Sequence, residues 1–375
     1  MAFFTLSPLN RRRLRNFRSN RRAVWSLWIF GTLFFLSLFA EFLANDRPLL
    51  VRYQGEYYTP IFNLYTERDF GGFFPTEANY LSVQVECLIV TGIEECADDD
   101  SGEIARGLLA DAEDGVVDGT EIDRGWILWP PVPYAYNTVT EIAGSAPSAP
   151  DRDHWLGTDD TARDVLARVI YGFRLSIVFA LIVTILTSIV GIVAGAVQGY
   201  FGGLTDLLFQ RFLEIWGGIP QLYIIIIIAA IFRMNFWLLV LLMTAFGWMA
   251  LVGVVRAEFL RARNFEYVRA ARALGVSDLV IMFRHVLPNA MVATLTMLPF
   301  IVTGTIAALA TLDFLGFGLP SSAPSLGELT LQAKRNLQAP WLGFTAFFTF
   351  AIMLSLLVFI FEGVRDAFDP RKTFQ

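Results

Sequence analysis

The chain has 375 residues, of which 55% are hydrophobic and only 17% charged, whereas soluble domains average about 25% charged residues. This composition excludes an ordinary soluble domain. The sequence contains 2 His and 2 Cys, which excludes a zinc or haem site rich in His and Cys and a broad disulfide framework.

The net charge of −6 conceals two opposed regions. Residues 45–173 hold 8 Arg against 24 Asp and Glu, a net −16, and the remainder holds 21 basic and 11 acidic residues, a net +10. The sequence therefore predicts one acidic domain within a basic, apolar chain. Inside that domain, the acidic stretch 94–118 predicts a mobile insertion that buries little apolar surface.

Six stretches are apolar enough to cross a bilayer as helices, because a hydrocarbon core requires about 20 mostly apolar residues per helix. They are residues 24–44, 175–197, 212–232, 236–255, 286–312 and 341–361. The first stretch follows an Arg-rich segment, as the core of a signal peptide does, but its length and its bulky Trp and Phe residues favour a retained span. We expect an all-α integral membrane protein with six transmembrane helices.

The short loops richest in Lys and Arg predict which ends face the cytoplasm. Seven Arg precede the first span, loop 256–285 carries six Arg, and the tail 362–375 adds three more basic residues. Six alternating spans then place both termini in the cytoplasm. The expected regions are a cytoplasmic N terminus 1–23, a first helix 24–44, an acidic domain 45–173 outside the membrane, a core of five further transmembrane helices 174–361 with cytoplasmic loop 256–285, and a cytoplasmic tail 362–375.

Ionisable groups within the predicted spans are few, although ion-coupled transporters retain such groups despite a cost of about 2.5–3.5 kcal/mol each. Glu214 follows Arg211 by three residues, and this spacing predicts an ion pair that anchors the span at the membrane surface. Asp313 lies at the outer end of its span, where we expect it to be solvated. Ion-coupled secondary transport is the alternative function, and a receptor or scaffold without transport is a further one. Neither Lys follows a Gly, so we expect no P-loop and no ATP hydrolysis by this chain.

Small residues and prolines predict how the helices pack and bend. Gly191, Gly195 and Gly199 repeat every four positions, which allows close approach of a second helix. Pro220 and Pro299 lie in apolar stretches, where proline breaks or bends a helix.

The cytoplasmic loop contains a helix-prone segment with two different faces. Ala271 and Gly275 lie four residues apart and predict a low ridge that a groove on another protein could receive. Composition alone favours a different interpretation, a basic amphipathic helix resting on anionic lipid.

The spacing in this loop resembles a known family. Ala270-Ala271, followed after three residues by Gly275 and then by Leu287-Pro288, resembles the EAA loop of binding-protein-dependent ABC importer permeases. The segments 154–176, 314–320 and 365–371 resemble signatures of the oligopeptide and dipeptide permease C branch. Two departures are Arg269, where the broad pattern has Glu, and His285, where it has Ile.

The resemblance implies a type I ABC importer permease fold and a set of partners. These are a second homologous permease subunit, a cytoplasmic ABC ATPase, a periplasmic peptide-binding protein and the lipid bilayer, with no nucleic acid. The chain itself would be non-catalytic and hold no cofactor, because ATP and Mg would bind the ATPase. The location would be the bacterial inner membrane. The cargo would be oligopeptides or peptide-nucleotide antibiotics such as microcin C.

The resemblance also implies which residues couple the permease to its ATPase. They are Phe265, Glu266, Tyr267, Arg269, Ala270, Ala271, Arg272, Gly275, His285 and Pro288.

Cys87 and Cys96 would lie in the oxidising compartment. Eight residues separate them, and this spacing permits either a local disulfide or two unpaired thiols.

Overall fold

A computed structural model describes residues 8–97, 101–112, 116–117, 120–121, 123–141 and 144–368. Two compact units are present, unit 1 comprising Met1–Phe35 and Gly172–Gln375, and unit 2 comprising Leu36–Tyr171. The last seven residues of the predicted tail and parts of the predicted insertion lie outside the described residues.

Most described residues are helical. The helices are α1 (Pro8–Ser19), α2 (Arg21–Leu38), α3 (Ala40–Leu43), α4 (Val83–Thr91), α5 (Glu103–Asp111), α6 (Val165–Phe201), α7 (Gly203–Gly217), α8 (Gln221–Ile231), α9 (Phe236–Gly247), α10 (Met249–Ala262), α11 (Glu266–Ala273), α12 (Asp278–Val280), α13 (Leu287–Phe314), α14 (Leu326–Arg335) and α15 (Pro340–Phe368).

Four helical stretches of the described chain are long and apolar enough to cross a membrane. They are Val165–Phe201, Phe236–Ala262, Asp278–Phe314 and Pro340–Phe368. Helices α7 and α8 form a bent pair with an angle of 60°, which makes a fifth candidate if the pair is one span. The bend predicted at Pro220 is confirmed, whereas Pro299 lies inside an uninterrupted α13.

The predicted count of six spans is not confirmed. The first predicted span, 24–44, falls on α2, which has 18 residues and begins with Arg21 and Arg22. A break at Phe39, with φ −105° and ψ 36°, separates α2 from the short α3. Because two charges and this break shorten the apolar helix, α2 is not a candidate membrane span by length and composition alone.

Helices α6 and α10 pack against each other through the glycines of α6. A Cβ atom on Gly191 would lie 2.4 Å from the carbonyl oxygen of Trp248, and one on Gly199 would lie 2.5 Å from that of Arg256. A Cβ atom on Gly195 would lie 2.8 Å from the carbonyl oxygen of Val252. The close approach predicted from the four-residue repeat is confirmed.

Unit 2 departs from the all-α prediction, because it contains a three-stranded antiparallel sheet in the order β2-β1-β5. The strands are β1 (Leu50–Tyr53), β2 (Glu56–Tyr58) and β5 (Trp126–Leu128), and a separate pair is formed by β3 (Val116–Val117) and β4 (Thr120–Glu121). A cluster of aromatic side chains centred on buried Phe70 packs against the sheet. The cross-strand contacts of aromatic residues stabilise such a small sheet.

The prediction that this acidic stretch buries little is wrong for the part of it that the structure describes, and its mobility stays a prediction. Helix α5 packs on α4, and Ala105 is fully buried in an apolar cluster with Cys87, Leu88 and Cys96. The apolar residues at the helical spacing of this acidic stretch form its buried face, which the net charge obscured.

A buried ionic network precedes α6 within unit 2. The Asp159 carboxylate accepts hydrogen bonds from the Arg163 Nε, at 2.8 Å, and faces the Arg168 Nε at 3.4 Å. Burial raises the pKa of Asp159, but Arg168 and Arg163 lower it by more than burial raises it, so that the pKa lies below its ordinary value. Asp164 accepts the Ala167 N–H at 2.7 Å and contacts His154 Nδ1 at 2.9 Å, and thereby caps the first turn of α6.

The two acidic groups considered for ion coupling differ in their environments. Glu214 pairs with Arg211 at 2.5 Å on the surface, as predicted. The prediction that Asp313 is solvated is wrong, because its side chain is buried and accepts hydrogen bonds from the Ser325 hydroxyl and the Leu319 N–H. These bonds connect the end of α13 to the start of α14.

Candidate functional site

Helix α11 lies in the middle of the predicted cytoplasmic loop 256–285. Phe265 occupies its N-cap position with extended backbone, and Glu266 in the first turn is favourable for the helix dipole. Arg272 in the last turn has the complementary sign. The charge order of the sequence thus favours a helix that begins and ends where the structure places it.

One face of α11 is buried against the rest of unit 1. Val268 is fully buried and Ala271 is 9% exposed. They belong to a single apolar cluster with residues of α6, α10 and the segment leading into α13, namely Ala196, Tyr200, Val255, Phe259, Ala262, Ile281, Met282, Val286 and Ala290. The loop is therefore packed as one body with the ends of three candidate spans.

The exposed ridge predicted from Ala271 and Gly275 does not form. Ala271 faces the core of its own chain, and Gly275 lies beyond the end of α11 with φ +77°. The Gly275 N–H donates to Arg272 O at 3.0 Å, and the Val276 N–H donates to Ala271 O at 3.1 Å. This is a Schellman motif, in which glycine adopts the left-handed conformation that ends a helix. The spacing that suggested a ridge is explained by helix termination.

Arg272 also faces its own chain. Its Nη2 donates to the Tyr200 hydroxyl at 2.9 Å, and that hydroxyl donates to Asp278 Oδ1 at 2.6 Å. The hydrogen bond to Tyr200 raises the pKa of Arg272. These contacts join the end of α6 to both ends of the turn after α11, and no sequence signal indicated them because 72 or more residues separate the partners.

The outward face of α11 carries the remaining predicted residues of the helix. Glu266, Arg269 and Ala270 are exposed, and the Phe265 and Tyr267 rings are 43% and 40% exposed. Leu274, directly after α11, is 83% exposed. An apolar side chain this accessible, flanked by aromatic and basic groups, has the composition of a protein-binding surface.

His285 and Pro288 lie one turn apart at the start of the next span. His285 is half-buried within a π-helical turn, Ile281–Val286, and Pro288 follows in the first turn of α13. Proline has no N–H for the carbonyl four residues earlier, so regular α-helical bonding is interrupted here. Asn289 of α13 connects the π-helical turn to α11, because its Nδ2 donates to His285 O at 3.3 Å and to the Tyr267 hydroxyl at 3.4 Å.

A cavity of about 520 Å³ lies between the end of α6 and the turn after α11. Arg263, Arg272 and Asp278 contribute its charged groups. The two guanidinium groups outweigh the one carboxylate, so the cavity favours an anionic group.

In unit 2, Cys87 and Cys96 are joined by a disulfide with an S–S distance of 2.02 Å. The bond connects α4 to the turn before α5, and both sulfur atoms are buried in the cluster around Ala105. Of the two states that the spacing permitted, the structure has the bonded one. Among the described residues, no group of three or more His, Cys, Asp or Glu side chains could hold a metal ion.

The candidate spans, the bent helix pair and a helix packed on the span ends are the architecture of a multi-pass membrane protein. A family profile described as binding-protein-dependent transport system inner membrane component matches residues 187–374. A second, the N-terminal transmembrane domain of oligopeptide transport permease C, matches residues 7–60. The chain belongs to this family of inner membrane components, which are permease subunits of binding-protein-dependent ABC importers.

Similar proteins extend over nearly the whole chain. The YejE peptidoglycan transport system permease protein of Agrobacterium fabrum is 52% identical, covering 98% of this chain and 95% of that protein. The inner membrane ABC transporter permease protein YejE of Escherichia coli is 51% identical, covering 98% of each. The oligopeptide transport system permease protein OppC of Bacillus subtilis is 32% identical over 64% of this chain and 78% of its own length. The family predicted from the loop motifs is confirmed, and it replaces the ion-coupled alternative.

Proposed function

We propose that this chain forms half of the translocation pathway of an ATP-driven peptide importer and receives the motion of a cytoplasmic ATPase through α11. A second homologous permease subunit supplies the other half. The chain spans the membrane six times, with α2 as the first span and α7–α8 as one bent span. Both termini are then cytoplasmic, and residues 45–173 are periplasmic.

The packing of α11 is the observation that supports coupling. Val268 and Ala271 lie in the same apolar cluster as Tyr200 of α6 and Phe259 of α10. Protein interiors are close-packed and transmit displacement. A push on α11 therefore moves the cytoplasmic ends of α6, α10 and α13 together.

The mechanism requires no catalysis by this chain. ATP with Mg binds and is hydrolysed on the partner ATPase, whose closure moves α11. The permease converts this movement into a change between inward- and outward-facing arrangements, and each ligand biases the two states by its differential affinity. The periplasmic binding protein delivers the cargo from outside.

The cargo class follows from relatives. The OppC proteins are named for oligopeptides, and the A. fabrum relative for peptidoglycan. The shared chemical element is a short peptide, so we propose peptide-containing cargo, including peptide-nucleotide antibiotics such as microcin C. Uptake assays with a free peptide, a peptidoglycan-derived peptide and microcin C distinguish these cargoes.

Leu274→Glu tests the coupling surface. If Leu274 is buried by the ATPase, its loss removes about 2 kcal/mol of apolar burial, or a roughly 30-fold weaker association. Leu337 is the matched control, because it is also a leucine that is 83% exposed but lies between α14 and α15. We expect Leu274→Glu to reduce ATPase co-purification and cargo-stimulated hydrolysis at matched membrane expression, and Leu337→Glu to leave ATPase co-purification intact.

The opposite interpretation, in which α11 rests on lipid, predicts a different result. A glutamate would then weaken membrane contact of the loop but leave ATPase binding unchanged. Equal ATPase co-purification and equal stimulation for Leu274→Glu and wild type would refute the coupling assignment.

A further inference from the structure

A second charged cavity lies in unit 1, where α2 begins and α15 ends. Its volume is about 380 Å³, and it is lined by Ser19, Asn20, Arg21, Arg22, Phe359 and Glu362. The proposed coupling surface includes none of these residues.

The cavity exists because two helices meet closely at this point. A Cβ atom on Gly363 would lie 2.2 Å from the Ala23 Cβ and 3.1 Å from the Phe17 ring. Only a glycine permits this approach, which brings the first turn of α2 beside the last turns of α15. The Arg13 guanidinium of α1 lies 4.3 Å from the centre of the Phe368 ring, so that α1 also contacts the end of α15.

Three charged side chains line this cavity. Among the described residues, Arg21, Arg22 and Glu362 form no ion pair. Both arginines lie in the first turn of α2, which contains no acidic residue and where the helix dipole disfavours positive charge. Two cations and one anion thus line the same cavity without forming an ion pair.

The residues next to the cavity are typical of the lipid headgroup region. Trp25 and Trp28, one to two turns further along α2, are 68% and 69% exposed, and exposed Trp residues concentrate at the membrane–water interface. Glu362 directly follows the apolar segment 341–361 of α15, and Phe359 supplies an apolar wall one turn deeper.

We propose that this cavity binds the headgroup of phosphatidylethanolamine. The lipid phosphate accepts hydrogen bonds from Arg21 and Arg22, its primary ammonium donates to Glu362, and an acyl chain passes Phe359. Phosphatidylglycerol has no cation for Glu362. The quaternary ammonium of phosphatidylcholine cannot donate an N–H bond. The arrangement of charges therefore selects a lipid that carries both a phosphate and a primary amine.

Native mass spectrometry of the full-length, delipidated chain in detergent tests this proposal. The three phospholipids are added with identical acyl chains, and the retained lipid is counted. Each basic residue near the surface contributes a roughly fivefold gain in phosphate binding. We expect at least a fivefold preference for phosphatidylethanolamine, and at least a fivefold loss of its retention in Arg21→Gln/Arg22→Gln.

Glu362→Gln has a different expected effect. It should lower phosphatidylethanolamine retention to the level of phosphatidylcholine without reducing retention of the latter. The charge-matched controls are Arg11→Gln/Arg12→Gln in α1 and Glu214→Gln in α7, which do not line the cavity and should keep the wild-type preference.

Equal retention of the three lipids by the wild type, or an equal loss in the controls, would overturn the proposal. Displacement of the lipid by excess inorganic phosphate would also overturn it, since the site would then be a general anion site. The proposal depends on the proposed function only for the cytoplasmic placement of the termini. Because no ATPase is present in this assay, its failure would leave the coupling test unaffected.

Discussion

The contact between α6 and α10 should be intolerant of a single methyl group at Gly199. A Cβ atom there would lie 2.5 Å from the Arg256 carbonyl oxygen and 2.7 Å from the Phe259 Cβ. Both neighbours are fixed to the helix backbone, so neither can rotate away. The helices would have to separate by roughly 1 Å to restore ordinary van der Waals distances.

The expected cost combines two opposed effects. Overpacking of a close contact costs about 1–3 kcal/mol, and alanine in place of glycine within a helix returns up to about 1 kcal/mol. Gly199→Ala should therefore be destabilising by about 1–2 kcal/mol. Because Tyr200 and Phe259 belong to the cluster that holds α11, the same separation should loosen the cytoplasmic loop and reduce uptake.

Gly253→Ala provides the matched control. Gly253 lies in α10, and no heavy atom would come within 4 Å of its added Cβ. Only the propensity effect applies, so this variant should be as stable as wild type or more stable. The measurement is the thermal midpoint of the purified full-length chain, with uptake at matched expression. A midpoint for Gly199→Ala equal to or above that of wild type would contradict the close-packed contact.

Three further predictions concern the loop and unit 2. Gly275→Ala should cost about 1 kcal/mol, because it places a Cβ in the left-handed region, and Gly275→Asn should cost less; hydrogen exchange of the following amide should rise more in the alanine variant, and equal exchange would exclude the strain argument. Asp159→Asn should destabilise the protein by about 3–5 kcal/mol at pH 7 by breaking a buried ion pair, whereas Asp123→Asn, on an exposed pair, should cost at most about 1 kcal/mol. The folded-state pKa of Asp159 lies below its ordinary value. The ionised carboxylate therefore stabilises the folded protein fully above about pH 4, and this contribution is lost as the pH falls through the folded-state pKa. The thermal midpoints of the wild type and Asp159→Asn, measured against pH, should converge in acid. Unfolded but unreduced protein should take up no thiol label at Cys87 or Cys96 and two labels after reduction, and any labelling before reduction would argue against the bond.

We expect residues 94–120 to be needed for the stability of unit 2, although the acidity of this stretch predicted that it buries little apolar surface. The deletion would take away α5, whose Ala105 is fully buried, and Cys96 of the disulfide. We expect a deletion variant to lower the thermal midpoint and to expose a free thiol at Cys87. A deletion variant with unchanged stability would contradict this.

The sequence by itself determined the class of protein. Apolar runs of about 20 residues are a direct consequence of the bilayer's thickness, and the loop motifs with Gly275 and Pro288 identified the family. The four-residue glycine repeat also sufficed to predict the contact of α6 with its neighbour, because small residues at this period have few other uses in lipid.

Other features depended on contacts between residues far apart in the chain. Ala271 has the same spacing whether it faces a partner or its own core, and only the packing of α6, α10 and α13 around it decided the latter. Asp313 was predicted to be solvated because it ends an apolar run, but it is buried and accepts hydrogen bonds from Ser325 and Leu319. The cavity between α2 and α15 joins residues more than 330 positions apart. Local periodicity determines which face of a helix is apolar, but which neighbour covers that face is decided only when the helices pack.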